Sequence, residues 1–143
     1  MNSQWRTPQQ WTNTNPDFDV YESYSNYNVN SGYAKMFIKV TGYTNLTIYI
    51  NSYAESYYDY TLAFVPDYNP TSLPSGSSVS GNIKGTTYGY QYNPSSYGIT
   101  SGSGWKKVDY TLDGGEHTIC ICYRKDSSYN SYWDRGYVAI PKN

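Results

Sequence analysis

The sequence predicts an all-β protein, an antiparallel β-sandwich of jelly-roll-like type with seven or eight strands. Three observations predict it: helix-periodic apolar patterns are nearly absent, segments of period-two alternation recur, and turn residues separate these segments at short intervals. Because each strand carries one apolar face, two packed sheets bury those faces best. A chain of 143 residues is long enough for one domain with a substantial core.

The first strands are predicted between residues 33 and 65. YAKMFIKV alternates apolar and polar residues, NLTIYIN repeats the alternation, and YDYTLAFV gives a third strand. In this third strand Asp59 and Thr61 are predicted to face outward. The residues predicted to face the core are Ala34, Met36, Ile38, Val40, Leu46, Ile48, Ile50, Tyr60, Leu62 and Phe64.

Residues 66–104 are rich in Pro, Gly, Ser, Asn and Tyr and predict long loops with short strands near 79–84 and 86–92. This region has two alternative interpretations, a binding surface on long loops and a disordered segment. A hairpin with Asp113, Gly114 and Gly115 at its turn is predicted next, followed by a last strand, GYVAIP. The core residues predicted in the hairpin are Val108, Tyr110, Leu112, Ile119, Ile121 and Tyr123.

The first 30 residues are predicted as an extended N-terminal arm, and residues 31–143 as the β-sandwich domain. The few apolar residues of the arm stand among polar ones and are too few to form a core of their own. Such an arm packs on the sandwich or on a neighbouring subunit, where exposed tryptophans act as anchors. The predicted assembly contacts are Trp5, Trp11 and Phe18.

Charge and cysteine usage exclude several classes. The formal net charge of −1 gives no attraction to nucleic acid, and no run approaches the ~18 apolar residues of a membrane span. The start of the chain lacks the pattern of a signal peptide. Cys120 and Cys122 lie two positions apart on one predicted strand, about 6.6 Å from each other with parallel side chains, so we expect reduced packing residues.

Catalytic residues form no recognisable pattern. His117 is the only histidine, no Gly-flanked serine or cysteine nucleophile accompanies it, and a surface histidine is expected. No spacing places two glutamates across a cleft. We therefore expect no enzyme activity and no cofactor. Calcium remains a weak alternative, with candidate oxygen ligands on Asp17, Asp19, Asp126 and Asp134.

The segment YRKDSSYNSYWDRGYVAI places charges and rings between two predicted strands. Arg124 is expected to pair with Asp59 or Glu55, because a guanidinium group matches a carboxylate in a bidentate manner. Arg135 is expected to pair with Asp126. The whole predicted ionic clasp is Glu55, Asp59, Arg124, Asp126, Asp134 and Arg135. The alternative is a polar sugar or ion site framed by Tyr129, Tyr132 and Trp133.

Tyrosine, at 20 of 143 residues, is the strongest indication of function. Its ring offers a large, stiff contact area with a polar tip, and loops of Tyr, Ser, Gly and Asn make adaptable recognition surfaces. Such rings also stack on sugars, and in many proteins they cover sheet edges or neighbouring subunits. The predicted ligand or partner contacts are Tyr88, Tyr90, Tyr92, Tyr97, Trp105, Tyr129, Tyr132 and Trp133.

Three blocks, SYAESYYDY, DGGEHTICICYRKDSS and DRGYVAIP, occur in this order after the lead-in NSGYAKMFIKVTGYTNLTIYI. They resemble an uncharacterised β-sandwich module in the carboxy-terminal regions of surface and virion proteins from gut Bacteroidetes and their phages. The resemblance covers about residues 21–141 and implies a non-enzymatic module displayed on a particle or cell surface. Here the module is nearly the whole chain, and its middle region is richer in tyrosine.

Two functions are therefore expected. The first is a structural or interaction subunit of a virion or extracellular assembly, which forms homo-oligomers or binds other virion or surface proteins. The alternative is an adhesin-like module that binds carbohydrates or a receptor. The expected location is a virion, the extracellular space or the cell surface, without membrane insertion.

Overall fold

A computed structural model describes residues 5–6, 17–23, 33–54, 58–67, 80–88, 99, 104–125 and 135–142. These residues contain no helix, and therefore none that is long and apolar enough to cross a membrane. Nine strands are present in the described chain. They are β1 (Trp5–Arg6), β2 (Phe18–Ser23), β3 (Tyr33–Val40), β4 (Asn45–Tyr53), β5 (Tyr60–Pro66), β6 (Gly81–Tyr88), β7 (Lys106–Thr111), β8 (His117–Arg124) and β9 (Arg135–Pro141).

The strands form the two layers of a jelly-roll sandwich. One sheet has the order β2-β9-β4-β7, with the two-residue β1 added beside β2, and the other has the order β3-β8-β5-β6. Every described strand pair is antiparallel. Interleaving of early and late strands in both sheets is the jelly-roll arrangement, so the predicted fold class is confirmed.

The main core lies between the two sheets. Alternate residues of β3, β4, β7 and β8 point into it, as the period-two pattern predicts, and Ile48, Ile50 and Ile121 have no solvent exposure. Gly42 and Gly114 adopt φ values of +85° and +84° in the turns that bound these strands. The backbone amide of Gly42 donates to the carbonyl of Gly114, which ties the two turns together.

Strand β5 faces the opposite way from the prediction. Ala63 and Val65 pack in the core between the sheets, and Thr61 buries its hydroxyl there. Phe64 lies on the outer face of the four-stranded sheet in a cluster with Cys120 and Cys122, where Leu62 packs against it. The alternation of β5 is as predicted, but its larger apolar residues, Leu62 and Phe64, lie on the outer face, so hydrophobicity alone predicts the wrong inner face.

The N-terminal and middle regions also differ from the expected pattern. Strand β2, which lies within the 30 residues predicted as an arm, is hydrogen-bonded to β9 and is an integral strand of the sandwich. The two short strands expected near 79–84 and 86–92 are one strand, β6, paired along its length with β5. The backbone amide of Lys142 donates to the carbonyl of Asp17, which fastens the end of β9 to the start of β2.

Candidate functional site

Four connections leave the sandwich at the same end, which we call the tyrosine end. Strands β2, β4, β6 and β8 finish there, and β3, β5, β7 and β9 begin there, as the pairings of Tyr53 with Arg135 and of Tyr60 with Tyr88 require. The side chains of Ser52 and Thr61 hydrogen-bond across the two sheets at 2.7 Å, so both sheets end together.

The sequences of these connections concentrate the aromatic residues. Segments 24–32, 54–59, 89–105 and 125–134 join the strands at the tyrosine end. They contain nine tyrosines and two tryptophans, namely Tyr24, Tyr27, Tyr57, Tyr58, Tyr90, Tyr92, Tyr97, Tyr129, Tyr132, Trp105 and Trp133. The connections at the opposite end contain two tyrosines, Tyr43 and Tyr68. The strand ends that flank the tyrosine-rich segments of the sequence therefore lie together at one end of the sandwich.

One row of side chains crosses the four-stranded sheet at this end. Tyr33 on β3 pairs with Arg124 on β8, Arg124 pairs with Tyr60 on β5, and Tyr60 pairs with Tyr88 on β6. We call these four residues the aromatic row. Neighbouring side chains on one face of a sheet stand close enough to touch, so the register itself creates a continuous surface of three rings and one cation.

Arg124 is held between two of these rings. Its Nε donates to the Tyr33 hydroxyl at 3.0 Å, and its guanidinium carbon lies 5.8 Å from the Tyr33 ring centroid and 5.6 Å from that of Tyr60. The hydrogen bond to Tyr33 raises the pKa of the Arg124 guanidinium further. Cation–π contacts of this geometry fix the orientation of the guanidinium. The sequence predicted Arg124 as part of an ionic clasp, whereas its described contacts are with tyrosines.

The aromatic row reaches solvent at its β6 side. Tyr88 is 54% exposed while its ring packs against Tyr60 at a centroid distance of 5.7 Å. Tyr58, just before β5, is 60% exposed. These rings are the exposed aromatic residues of the described chain at this end, and Tyr88 was among the predicted contact residues.

A buried ion pair lies under the same end, on the outer face of the five-stranded sheet. Arg135 Nη1 donates to Glu22 Oε2 at 2.6 Å, and the Glu22 side chain is completely buried. Asp126, the partner that the sequence predicts for Arg135, lies outside the described residues, and the described partner of Arg135 is Glu22. Glu22 pairs in register with Tyr137, two residues beyond Arg135, so the ion pair is a diagonal contact between β2 and β9.

Short polar side chains complete the packing between the sheets. Thr61 Oγ1 donates to the carbonyl of Asn51, and the backbone amide of Gly136 donates to Ser23 Oγ at 2.9 Å. A β-carbon at Gly136 would lie 2.5 Å from Thr61 Oγ1, so only glycine lets β9 approach β5 this closely. This network fixes the platform from which the four connections start.

Other predicted contact residues are in the interior. Trp105 is 3% exposed and packs with Val20 and Tyr137, so it does not present the exposed ring that the prediction required. Trp5 is 1% exposed and belongs to the core between the sheets of its own chain. Phe18 is half-buried, with its ring edge-on to Tyr49 at 5.5 Å.

Several predicted residues lie outside the described part of the chain. They are Trp11, Glu55, Tyr90, Tyr92, Tyr97, Asp126, Tyr129, Tyr132, Trp133 and Asp134. Among the described residues, no three His, Cys, Asp or Glu side chains come together as a metal site would need. Asp17 and Asp19, two of the weak calcium candidates, are exposed at the start of β2. Asp59 is fully buried beside β5.

His117 lies at the end opposite the tyrosine end. Its Nε2 is 2.6 Å from Asp113 Oδ1, and the same oxygen accepts the Gly115 amide at 2.9 Å. The hydrogen bond from His117 lowers the pKa of the Asp113 carboxyl. These contacts close the turn between β7 and β8.

Cys120 and Cys122 are free, buried thiols, as the sequence predicted. Burial raises the pKa of Cys120 and raises that of Cys122 to about 11. Because the thiolate is the reactive form, we expect neither residue to react with iodoacetamide near pH 8 in the folded protein, and both to react in urea. Mass spectrometry measures the labelling, and labelling of either folded thiol at the rate of free cysteine would contradict the expectation.

The same burial gives a pH dependence. Unfolded thiols ionise near pH 8.5, whereas folded Cys122 keeps its proton up to a pH of about 11. The unfolded state therefore binds fewer protons in this window, and the free energy of unfolding falls as the pH rises through it.

No family model matches the chain, and neither a curated protein nor a solved structure shows significant similarity to it.

Proposed function

We propose that the protein is a non-enzymatic interaction module that binds its partner through the tyrosine end. The observation that carries the proposal is that the strand ends flanking four tyrosine-rich segments of the sequence lie together at one end of the sandwich. Loops on a rigid scaffold are common binding surfaces, and tyrosine gives large contact area at low cost in conformational entropy. The exposed rings of Tyr58 and Tyr88 and the oriented guanidinium of Arg124 add an anchor surface.

The partner that we propose first is another copy of the chain, in a virion or an extracellular assembly. Tyrosine and arginine are enriched at protein interfaces, and the near-zero net charge of −1 leaves little repulsion between copies. The resemblance to surface and virion modules supports this setting. Other components of the same particle would bind through the same surface.

Sedimentation analysis of the wild type and of the double variant Tyr58→Ser/Tyr88→Ser tests the proposal. We expect the wild type to self-associate as its concentration rises and the double variant to associate at least about tenfold more weakly, because anchor rings contribute more than about 1 kcal/mol each. Ile83→Ser is the matched control, since Ile83 is 65% exposed on the same strand as Tyr88. A wild-type monomer at all concentrations, or equal weakening by both variants, would contradict self-association through this end.

Carbohydrate binding is the second candidate, and the aromatic row favours it. The exposed ring of Tyr88 offers a stacking face for a sugar, and the guanidinium of Arg124, two strands away in the same row, offers donors for its oxygens. A glycan array probed with folded wild type and with Tyr88→Ser separates the two functions. Signal that the Tyr88 variant loses would support sugar binding, and the absence of signal for the folded wild type would reject it.

A further inference from the structure

The two seams of the sandwich, where the edges of its sheets meet, are not equivalent. At one seam β6 and β7 lie in direct contact, and a β-carbon at Gly85 would come within 2.7 Å of Val108 Cγ2. At the other seam β2 and β3 are the neighbouring edges, with β1 beside β2. The β6–β7 seam is closed by direct packing of the two strands. Closure of the β2–β3 seam depends on the groups that lie between its strands.

Trp5 fills the half of the β2–β3 seam near the tyrosine end. It pairs with Ser23 on β2, and β1 also contacts β3. The Trp5 ring is 1% exposed and joins Ala34 and Met36 in the core between the sheets. A strand of two residues thus lies along the seam and inserts one large aromatic side chain between the sheets.

The other half of the same seam is a cavity of about 530 Å³. Its inner surface is formed by Met36, Ile38 and Ile140, side chains of the core between the sheets, and Tyr21 and Tyr43 stand at its sides. Asp19 and Lys39 also line it, so its charged residues balance. A volume of this size is in the range of ligand pockets, and polar groups form more than half of its wall, beside the apolar and aromatic side chains.

The cavity follows the edge of β3. Six consecutive residues, 36–41, line it, and because successive side chains of a strand point to opposite faces, only a groove along the strand edge touches all six. Strand β3 pairs with β8 through eight consecutive residue pairs without a bulge, and no other described strand pairs with it. Its sequence, YAKMFIKV, contains no proline or glycine. A long, regular edge of this kind accepts an added strand.

We propose that this groove binds an extended peptide segment of another polypeptide, which adds to the edge of β3 and places one large aromatic side chain in the cavity. The seating of Trp5 in the adjoining half of the seam is the internal precedent for this mode. A buried aromatic side chain removes about 150–250 Å² from water, which makes it a suitable anchor against the core side chains Met36, Ile38 and Ile140, while the polar part of the wall remains for the backbone of the peptide. The balanced charges of Asp19 and Lys39 favour an uncharged segment. This site is separate from the tyrosine end and goes beyond the proposed function.

Calorimetric titration with a synthetic peptide tests the proposal. The probe is an acetylated and amidated Thr-Val-Trp-Val-Thr, and its controls are the same peptide with serine in place of tryptophan and the same peptide with alternate backbone amides methylated. We expect the serine peptide to bind at least about tenfold more weakly, because it loses the ring, and the methylated peptide to lose binding, because it cannot pair with β3. Amide exchange at residues 36–40 should slow only with the tryptophan peptide.

Two matched variants locate the binding. Ile38→Phe enlarges a side chain that lines the cavity, and Ile83→Phe makes the same change on β6, the opposite edge strand of the same sheet. We expect Ile38→Phe to abolish binding with its melting transition retained, and Ile83→Phe to bind as the wild type does. If Ile38→Phe fails to fold, Ile140→Phe replaces it. Amide exchange at residues 36–40 of the wild type locates the binding without any variant.

The outcomes that overturn the proposal are distinct. Equal binding of the tryptophan and methylated peptides, or of N-acetyl-tryptophanamide alone, would show that the cavity takes a ring without strand addition. If the folded wild type does not bind the tryptophan peptide, the groove does not take a segment of another polypeptide. The same result is expected if another part of the same chain occupies the groove, and it rejects the proposal equally. A failure of self-association through the tyrosine end leaves these peptide results unaffected.

Discussion

Replacement of Arg135 by methionine is expected to lower the free energy of unfolding by about 3–5 kcal/mol, because it removes a cation that lies 2.6 Å from the completely buried Glu22 carboxylate. Glu22 has no exposed side-chain surface, and the Arg135 side chain is 11% exposed, so water cannot replace the lost partner without opening the sheet face. Urea denaturation followed by circular dichroism measures the change.

Two comparisons make this prediction specific. The double variant Glu22→Leu/Arg135→Met removes both charges and is expected to recover most of the loss, since a buried ion pair replaced by apolar residues is often neutral or stabilising. Arg124→Met, the same change in the other sheet, removes cation–π contacts and the hydrogen bond to Tyr33 and should cost about 1 kcal/mol. If Arg135→Met and Arg124→Met were equally mild, the buried pair would not stabilise the fold.

Most of the architecture was predictable because alternation specifies strands without reference to the rest of the chain. Strands β3, β4, β7 and β8 each show one apolar face in the sequence, and those faces form the core between the sheets. The turn at Gly114 was equally local, since its φ of +84° suits the Asp-Gly-Gly sequence. Local patterns were sufficient where one face of a strand carries the larger apolar residues and the core lies on that face.

Prediction failed in β5, whose larger apolar residues lie on the outer face of its sheet. In β5, Leu62 and Phe64 are larger and more apolar than Thr61 and Ala63, so hydrophobicity favoured the outer face. The orientation is set by hydrogen bonds instead, since Thr61 bonds to Ser52 and to the Asn51 carbonyl on the opposite sheet. Those partners are known only once β4 and β5 have been placed face to face.

The candidate site was predictable by composition but not by arrangement. Arg124 and Tyr88 were singled out for charge and ring chemistry, yet their relation through Tyr33 and Tyr60 depends on the pairing of four strands that are distant in sequence. Glu22 was missed as the partner of Arg135 for the same reason. Its position two residues after Val20, on the same face of β2, was the available signal that its carboxylate would be buried.

Burial of the Trp5 side chain is the main interaction that holds β1 on the sandwich. Its pairing with Ser23 is short, so the two-residue β1 has little hydrogen-bonding support of its own, and burial of the indole is its main contribution to stability. A ring enclosed among Ala34, Met36 and other core side chains behaves as a core residue. Replacement of Trp5 therefore distinguishes the two roles: loss of an exposed anchor would weaken self-association, whereas loss of a buried side chain lowers the free energy of unfolding.

Trp5→Ala is expected to lower the free energy of unfolding by about 3–5 kcal/mol, the cost of removing a fully buried indole and leaving a cavity. The loss also opens the half of the β2–β3 seam that Trp5 fills, so amide exchange at residues 33–36 should accelerate. Tyr58→Ala is the matched aromatic control, since its ring is 60% exposed and should change stability by no more than about 0.5 kcal/mol. A Trp5 variant as stable as the wild type but defective in self-association would show instead that the tryptophan acts between subunits.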